Sequence, residues 1–200
     1  FYMQLQLLLK NLQRKKKIRG FVFSKVGSAF NIFFKEHLPF SLTDAQKRVI
    51  KEIRNDLGSG RQMNRLLQGD VGSGKTIVAL LIMLIAIDNG FQTALVAPTE
   101  ILAKQHYQSI VKLLDGSHIK MNLLTGSTKS KDRKIIHREL ESGELSILVG
   151  THAVLEEKVQ FKNLGLSRID EQHRFGVHQR ATLRNKRDDE ATVPHTLVMT

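Results

Sequence analysis

The chain has 200 residues, of which 41% are hydrophobic and none is cysteine, and its formal net charge is +12. This length and apolar content suffice for one domain with a proper core and a short appendage, but not for two full α/β domains. The absence of cysteine excludes disulfides and thiolate metal sites, and no apolar run reaches the roughly 18 residues of a membrane span, so we expect a soluble protein without a membrane partner.

Positive charge is concentrated at the N-terminal end of the chain. Residues 1–35 contain eight Lys or Arg and no Asp or Glu, which leaves 23 basic against 19 acidic residues in 36–200. Apolar residues at helical spacing over 1–12 predict a docked helix, and the basic cluster 14–19 follows it. Charge alone leaves two roles open for that cluster: ordinary solvated surface, or contact with a phosphate backbone. Because the sequence starts at Phe1, we expect an internal fragment.

Short apolar segments alternate with longer helical ones along the rest of the chain. After a short apolar pattern at 30–34 we predict a domain boundary near Pro39. The predicted strands are 65–68, 93–97, 121–124, 147–149, 164–170 and 196–200. The predicted helices are 43–56, 75–89, 100–114, 130–142 and 176–185. This alternation indicates an α/β fold with a doubly wound, mostly parallel sheet.

Polar or turn-forming residues follow five of the predicted strands. They are Gly69, Pro98, Thr125, Thr151 and Asp170. Ligands of open α/β sheets bind outside the carboxyl ends of the strands, so we expect these five positions to lie at one edge.

The segment between the first predicted strand, which is short, and the long apolar helix after it fits G-x-x-x-x-G-K-[ST] at every fixed position. It reads Gly69-Asp70-Val71-Gly72-Ser73-Gly74-Lys75-Thr76. Glycines in such a loop let backbone N–H groups converge on phosphate oxygens, Lys75 reaches the β- and γ-phosphates, and the Thr76 hydroxyl ligates Mg²⁺. The plainer alternative is a glycine-rich loop that only caps a helix. The flanking strand and helix favour a nucleoside triphosphate site.

Two carboxylates end a later strand, at Asp170 and Glu171. In phosphoryl transfer Asp170 would hold Mg²⁺ through water, and Glu171 would orient and deprotonate the attacking water. The alternative is a pair of solvated loop acids. The phosphate-binding loop in the same doubly wound chain favours the catalytic interpretation.

These segments occur in the order of the superfamily 2 helicase motifs, and the chain resembles the RecG family of bacterial branch-migrating DNA helicases. The segments are Gly69 to Thr76, Ala97-Pro98-Thr99-Glu100-Ile101-Leu102-Ala103-Lys104-Gln105-His106, Leu124-Thr125-Gly126-Ser127, Val149-Gly150-Thr151-His152-Ala153 and Asp170-Glu171-Gln172-His173-Arg174-Phe175-Gly176-Val177. Gln172 favours this family over the related transcription-repair coupling translocases, which carry a second Glu there.

The resemblance implies a RecA-like P-loop motor domain that hydrolyses Mg-ATP to translocate on duplex DNA and remodel forks and four-way junctions in recombination and repair. It implies that 39–200 form the first RecA-like domain, truncated at its C-terminal end, and that 1–38 form a basic helical extension leading to a DNA-binding wedge domain. It also implies a second RecA-like domain and a place in the bacterial cytoplasm. We therefore expect residues 1–200 alone to bind nucleotide but barely hydrolyse it.

The resemblance also implies roles for individual residues. Lys75, Asp170, Glu171 and Gln172 would serve catalysis, with Thr76 and Asp170 on the metal and Gln172 and His173 coupling nucleotide state to DNA. Gln46 would join the loop 69–76 in nucleotide binding by reading the adenine edge, although its spacing from Thr43 equally fits a helix capping box. The DNA backbone would be contacted by Thr99, Thr125, Gly126, Thr151 and His152. For His152 and His173 the alternative is an ordinary polar loop residue.

One residue departs from the family pattern. The strand before the acidic pair carries Ser167-Arg168-Ile169 where family members have apolar residues, and an arginine in a central strand is costly unless paired. His106 we expect to serve packing or surface. A nucleotide-binding switch without DNA work remains the rival function, whereas a small-molecule kinase is disfavoured because nothing indicates a lid or an acceptor site.

Overall fold

A parallel β-sheet lies at the centre of the structure, a computed structural model that describes residues 18–38, 40–70, 72–170 and 192–200. Within these residues the strands are β1 (Asn64–Leu67), β2 (Gln92–Val96), β3 (Met121–Leu124), β4 (Ile147–Gly150), β5 (Leu164–Asp170) and β6 (His195–Met199). Their spatial order is β1-β6-β5-β2-β4-β3, and every neighbouring pair is parallel. The predicted doubly wound α/β fold is confirmed.

Helices cover both faces of the sheet. They are α1 (Ser28–Ile32), which continues as a π-helical turn (Phe33–His37), α2 (Asp44–Leu57), α3 (Lys75–Asp88), α4 (Glu100–Leu113) and α5 (Ser130–Ser142), and a 3₁₀ turn spans His152–Leu155. One apolar core joins α2, α3 and α4 to the sheet, and a second core lies between the opposite face, α5 and the 3₁₀ turn. None of the helices in the described ranges is both long and apolar enough to cross a membrane.

Helix α3 is apolar on every face and is buried on every face. Ten consecutive residues, from Ile77 to Ala86, are buried. The sheet lies on one side, and α2 and the N-terminal segment lie on others. A helix without a polar face is typical of the interior of a domain.

The predicted helix ends agree with the structure. Thr43 and Gln46 form the complete capping box of α2, and the Thr99 hydroxyl accepts a hydrogen bond from the Leu102 N–H at the start of α4. Gly90, just after α3, and Gly143, at the end of α5, both have positive φ, as helix-terminating glycines do. The boundaries of β3 and α5 match the prediction residue for residue.

Several predictions lie outside the described residues. They are the helix over 1–12, the basic residues up to 17, the boundary residue Pro39, Val71, Glu171, Gln172, His173 and the helix over 176–185.

The segment 18–38 is fastened to the C-terminal end of α3. The Asp88 carboxylate accepts hydrogen bonds from the backbone N–H groups of Gly27, Ala29 and Phe30, at 2.9 to 3.0 Å. The Asn89 amide exchanges two further bonds with the backbone of Lys25. These contacts cap α1 and place Phe23 and Phe33 in the core around α3.

A buried histidine makes a second attachment of this segment. The Nδ1 atom of His195 accepts a hydrogen bond from the Met63 N–H at 2.9 Å, and its Nε2 atom donates to the Phe21 carbonyl at 2.8 Å. Burial lowers the pKa of His195 to about 4. The Nδ1 contact requires the neutral ring, since a proton on Nδ1 would face the Met63 N–H, whereas Nε2 can donate to the Phe21 carbonyl in either state.

We therefore expect His195 to make the domain acid-sensitive. As pH falls through about 6.5 the unfolded state takes up a proton that the folded state resists until about pH 4. Stability should fall over that window by about 3 kcal/mol from this residue. Denaturant melts from pH 7 to pH 4 measure this loss. A His195→Gln variant, which retains every other titrating group, should show a shallower slope; equal slopes would contradict the assignment.

Candidate nucleotide and nucleic-acid site

The five predicted strand ends meet at one edge of the sheet, because β1 to β5 are parallel. Gly69 follows β1, Pro98 follows β2, Thr125 follows β3, Thr151 follows β4, and Asp170 is the last residue of β5. Strand β5 also pairs with β2 and β6, so Asp170 lies near the middle of this edge. The fold thus brings the phosphate-binding loop, the carboxylate and the predicted DNA contacts to the same side of the molecule.

Two glycines shape the loop before α3. Gly72 and Gly74 have φ angles of +83° and +76°, in the left-handed region that favours glycine. Gly74 is the residue before α3, and a Cβ there would collide with the Gln46 amide. The N-terminus of a buried helix therefore opens directly behind the loop, where its dipole favours an anion.

Lys75, the first residue of α3, directs its ammonium group back over this loop. Its Nζ atom donates to the carbonyls of Gly69 and Asp70, the latter at 2.8 Å. Thr76 follows it in the first turn, and both residues are half-buried. The cation and the hydroxyl thus lie on the side of the loop where a triphosphate and its metal would be bound.

Gln46 connects α2 to the same loop. Its Oε1 atom accepts from the Thr43 N–H at 2.9 Å, and its Nε2 atom donates to the Ser73 carbonyl at 2.9 Å. The capping-box role is confirmed, and the second bond fixes the loop as well. The adenine contact stays a prediction, and it would require the amide to exchange one of these bonds.

Asp170 contacts a histidine that the sequence did not single out as functional. The Nε2 atom of His106, on α4, lies 2.5 Å from Oδ2 of Asp170. His106 was expected to serve packing or surface, and the two residues are 64 positions apart. The sequence did carry a sign that His106 faces inward, because it lies on the same face of the helix as Ala103 and Ile110, which are buried.

A carboxylate links two of the loops predicted to contact DNA. Glu100, in the first turn of α4, accepts hydrogen bonds from the N–H and the hydroxyl of Ser127, at 3.1 and 2.8 Å. These bonds, together with one from the Gly126 N–H, lower the pKa of Glu100. The turn after β3 is thereby held against the start of α4.

An arginine links the third loop. Arg133, in the first turn of α5, donates to the Thr125 carbonyl at 2.8 Å and to the Glu156 carboxylate, just after the 3₁₀ turn, at 2.8 Å. The loops after β2, β3 and β4 therefore form one connected unit. Sequence reasoning missed Arg133, since nothing local distinguishes it from the other basic residues of α5.

The residues predicted to contact DNA differ in exposure. Gly126 and His152 are exposed, and Thr99 is half-buried as the cap of α4. Thr125 and Thr151 are buried, at 2% exposure each. The Thr125 hydroxyl bonds Ser127, and the Thr151 hydroxyl has no hydrogen-bond partner among the described residues. The roles of all five in DNA binding stay predictions.

Arg168 is fully buried in the middle of β5, between β2 and β6. Its Nε atom donates to the Met199 sulfur at 2.9 Å, whereas its two terminal nitrogens have no hydrogen-bond partner in the described chain. Burial lowers the pKa of Arg168 to about 10, opposed by the attraction of the Asp170 carboxylate. The pairing of β5 is regular around Arg168, and its register with β2 shifts only near its start, between Leu164 and Leu166. The buried charge therefore does not break the sheet.

The described residues hold no group of three or more His, Cys, Asp or Glu that could bind a metal ion by itself. Thr76 and Asp170 nevertheless suit Mg²⁺, which takes few protein ligands and completes its shell with phosphate oxygens and water.

Comparison with known protein families identifies the family of the chain. The family model for DEAD/DEAH box helicases matches residues 43–200, which include the loop, Asp170 and all three connected loops. The chain belongs to the DEAD/DEAH box helicase family. Membership in this helicase family implies use of a nucleotide and confirms the RecA-like type of fold.

Within the DEAD/DEAH box helicases, the predicted resemblance to the RecG family is confirmed. The chain is 48% identical over 200 residues to the ATP-dependent DNA helicase RecG of Synechocystis sp. and covers 24% of that protein. It is 53% identical over 167 residues to the RecG of Bacillus subtilis, with 84% of this chain and 24% of that protein covered. A solved structure of RecG bound to a three-way DNA junction superposes with a TM-score of 0.82 at 44% identity, over 95% of this chain and 25% of that one. The chain thus spans about a quarter of the length of these relatives.

Proposed function

We propose that this chain is the first RecA-like motor domain of an ATP-dependent DNA helicase that remodels forks and four-way junctions in recombination and repair. The observation that carries the proposal is the meeting of the phosphate-binding loop, Asp170 and the connected loops after β2, β3 and β4 at one edge of a parallel sheet. ATP hydrolysis at the phosphate-binding loop can then act on DNA that is held by the loops after β2, β3 and β4.

The nucleotide would be held by the loop 69–76. Backbone N–H groups and Lys75 would bind the phosphates, and Gln46 would contact the adenine. Thr76 and Asp170 would hold Mg²⁺, which when bound neutralises the charge that develops on the phosphates. Glu171 would accept the proton of the attacking water, and Gln172 and His173 would relay the nucleotide state to DNA.

The DNA backbone would be contacted at the connected loops, without reading sequence. Gly126 and His152 are exposed there, whereas the Thr125 and Thr151 hydroxyls are buried and would mainly shape the loops. Thr99 would act from the N-terminal cap of α4. Support comes from a relative solved with bound DNA, at 44% identity over 95% of this chain.

The proposal divides the chain at about residue 38. Residues 39–200 would be the first motor domain, and 1–38 a basic extension toward a wedge domain in the longer protein. The second RecA-like domain would be the other partner. Because the chromosome of a bacterium lies in the cytoplasm, the proposal places the protein there.

A loss of nucleotide binding should follow Lys75→Ala in the full-length protein. The variant removes charge-assisted hydrogen bonds to phosphates, each worth about 1.5 to 3 kcal/mol, so the Kd for Mg-ATP should rise about 10- to 100-fold. Isothermal titration measures the change. Lys51→Ala, which removes an exposed lysine from α2, is the matched control and should bind normally.

The titration, repeated with forked DNA and combined with a phosphate-release assay, distinguishes the helicase from the rival function, a nucleotide-binding switch that does not act on DNA. The helicase proposal expects forked DNA to change nucleotide affinity and to stimulate phosphate release by the unmodified protein, and Lys75→Ala to remove that stimulation. An unchanged Kd in Lys75→Ala would overturn the assignment of the loop. Normal nucleotide binding with no effect of any DNA would favour the switch.

A further inference from the structure

The Asp170 carboxylate, which we assign to the metal, is hydrogen-bonded to His106 on the neighbouring helix α4. His106 and Asp170 are only 16% and 15% exposed, and the 2.5 Å between Nε2 and Oδ2 makes their contact a hydrogen bond. Asp170 is also attracted electrostatically by the buried Arg168 on its own strand. The carboxylate is therefore hydrogen-bonded from α4 and lies in the field of a cation on its own strand, β5.

We propose that His106 is a positioning residue that holds the Asp170 carboxylate in the orientation in which it binds the Mg²⁺ of the nucleotide. The inference rests on the proposed function, which assigns the metal to Thr76 and Asp170. A carboxylate offers about four acceptor positions, so one bond from a ring N–H fixes the group and leaves acceptor capacity for a metal-bound water. Hydrogen-bonding partners of metal-holding groups generally act in this way.

The imidazole is well placed for this role because its helix cannot shift easily. Ala103 and Ile110, one turn before and after it on the same stripe, are completely buried against the core. The contact also spans 64 positions of sequence, so it depends on the tertiary fold and not on a local turn.

Helix α4 carries the bond to Asp170 and also begins at the DNA-facing loops. Its cap is Thr99, and Glu100 in its first turn is bonded to Ser127. The same rigid element thus contacts the metal carboxylate and the loops assigned to DNA. His106 consequently links the carboxylate assigned to the metal to a helix that begins at those loops.

The test measures the Mg²⁺ dependence of nucleotide binding in the full-length protein. A fluorescent ATP analogue is titrated with Mg²⁺, with and without forked DNA, and the Mg²⁺ concentration at half-maximal binding is recorded. His106→Leu and His106→Asn should raise this concentration about 10-fold, the lower end of the range for outer partners of a metal site. Both variants should also reduce the effect of forked DNA on this Mg²⁺ concentration. His106→Gln, which can place an N–H near the position of Nε2, should restore most of the wild-type value.

Two further variants keep the outcomes distinct. Gln108→Leu puts a leucine at an exposed position of the same helix and should leave the Mg²⁺ dependence unchanged. Asp170→Asn should raise the Mg²⁺ concentration at half-maximal binding at least as much as His106→Leu does. A normal Mg²⁺ dependence in both His106→Leu and His106→Asn, beside a weakened Asp170→Asn, would overturn the positioning role and leave the motor proposal standing. A normal dependence in Asp170→Asn would overturn the metal assignment itself.

Discussion

Residues 1–200 produced alone are expected to bind Mg-ATP but to release phosphate about 10³ to 10⁵ times more slowly than the full-length protein on forked DNA. This is the range of rate lost when an arginine finger is absent from a phosphoryl-transfer site. In helicases of the type proposed here, that arginine reaches the γ-phosphate from the second RecA-like domain across the cleft. The relatives are about four times as long as this chain, which leaves room for that domain.

The measurement is steady-state phosphate release by residues 1–200 and by the full-length protein, each with and without forked DNA. Nucleotide titration and circular dichroism on the same samples must first show that residues 1–200 bind and are folded. Lys75→Ala in the full-length protein sets the background. Robust DNA-stimulated turnover by residues 1–200 would show that one domain supplies the whole catalytic site, and the two-domain proposal would have to be abandoned.

Replacing Arg168 with methionine is expected to stabilise the domain by about 1 to 4 kcal/mol, the range seen when buried ions give way to well-packed apolar residues. Burial lowers the pKa of Arg168 well below its ordinary value, to about 10, which corresponds to a cost of about 3 kcal/mol at neutral pH. The Met199 sulfur is a weak acceptor, so it compensates little. Methionine is shorter than arginine, but its flexible, unbranched side chain fills more of the space than valine would and leaves a smaller cavity.

Urea denaturation of residues 1–200 measures the effect. Arg65→Met is the matched control, because Arg65 lies partly exposed at the surface and pairs with Glu52 and Asp56. The same chemical change should there destabilise by no more than about 1 kcal/mol. A clear loss of stability in Arg168→Met would mean that the guanidinium has a role that these contacts do not show.

The fold was largely predictable because its signals are local. The periodicity of apolar residues and the turn glycines placed the strands within about a residue, and the glycine–lysine loop indicated where we propose the nucleotide site. The spatial order of the strands was not predictable, since pairing such as that of β1 with β6 depends on contacts more than 100 positions apart. Propensity and capping carry no information about such distances.

The candidate site was predicted as a set of residues but not as a network. The contact between His106 and Asp170, the two bonds of Arg133 and those of Glu100 all join segments that only the tertiary fold brings together. Motif spacing indicates which groups the chemistry needs. It does not indicate which neighbours hold those groups in place.

Helix α3 connects two distant parts of the domain. It is 14 residues long, so it spans about 21 Å between Lys75 at the phosphate loop and Asp88 at the bonds to 27–30. One end of this buried helix borders the loop 69–76, and the other end is hydrogen-bonded to 27–30. We therefore expect a displacement of the helix along its axis at the loop to move the N-terminal segment as well.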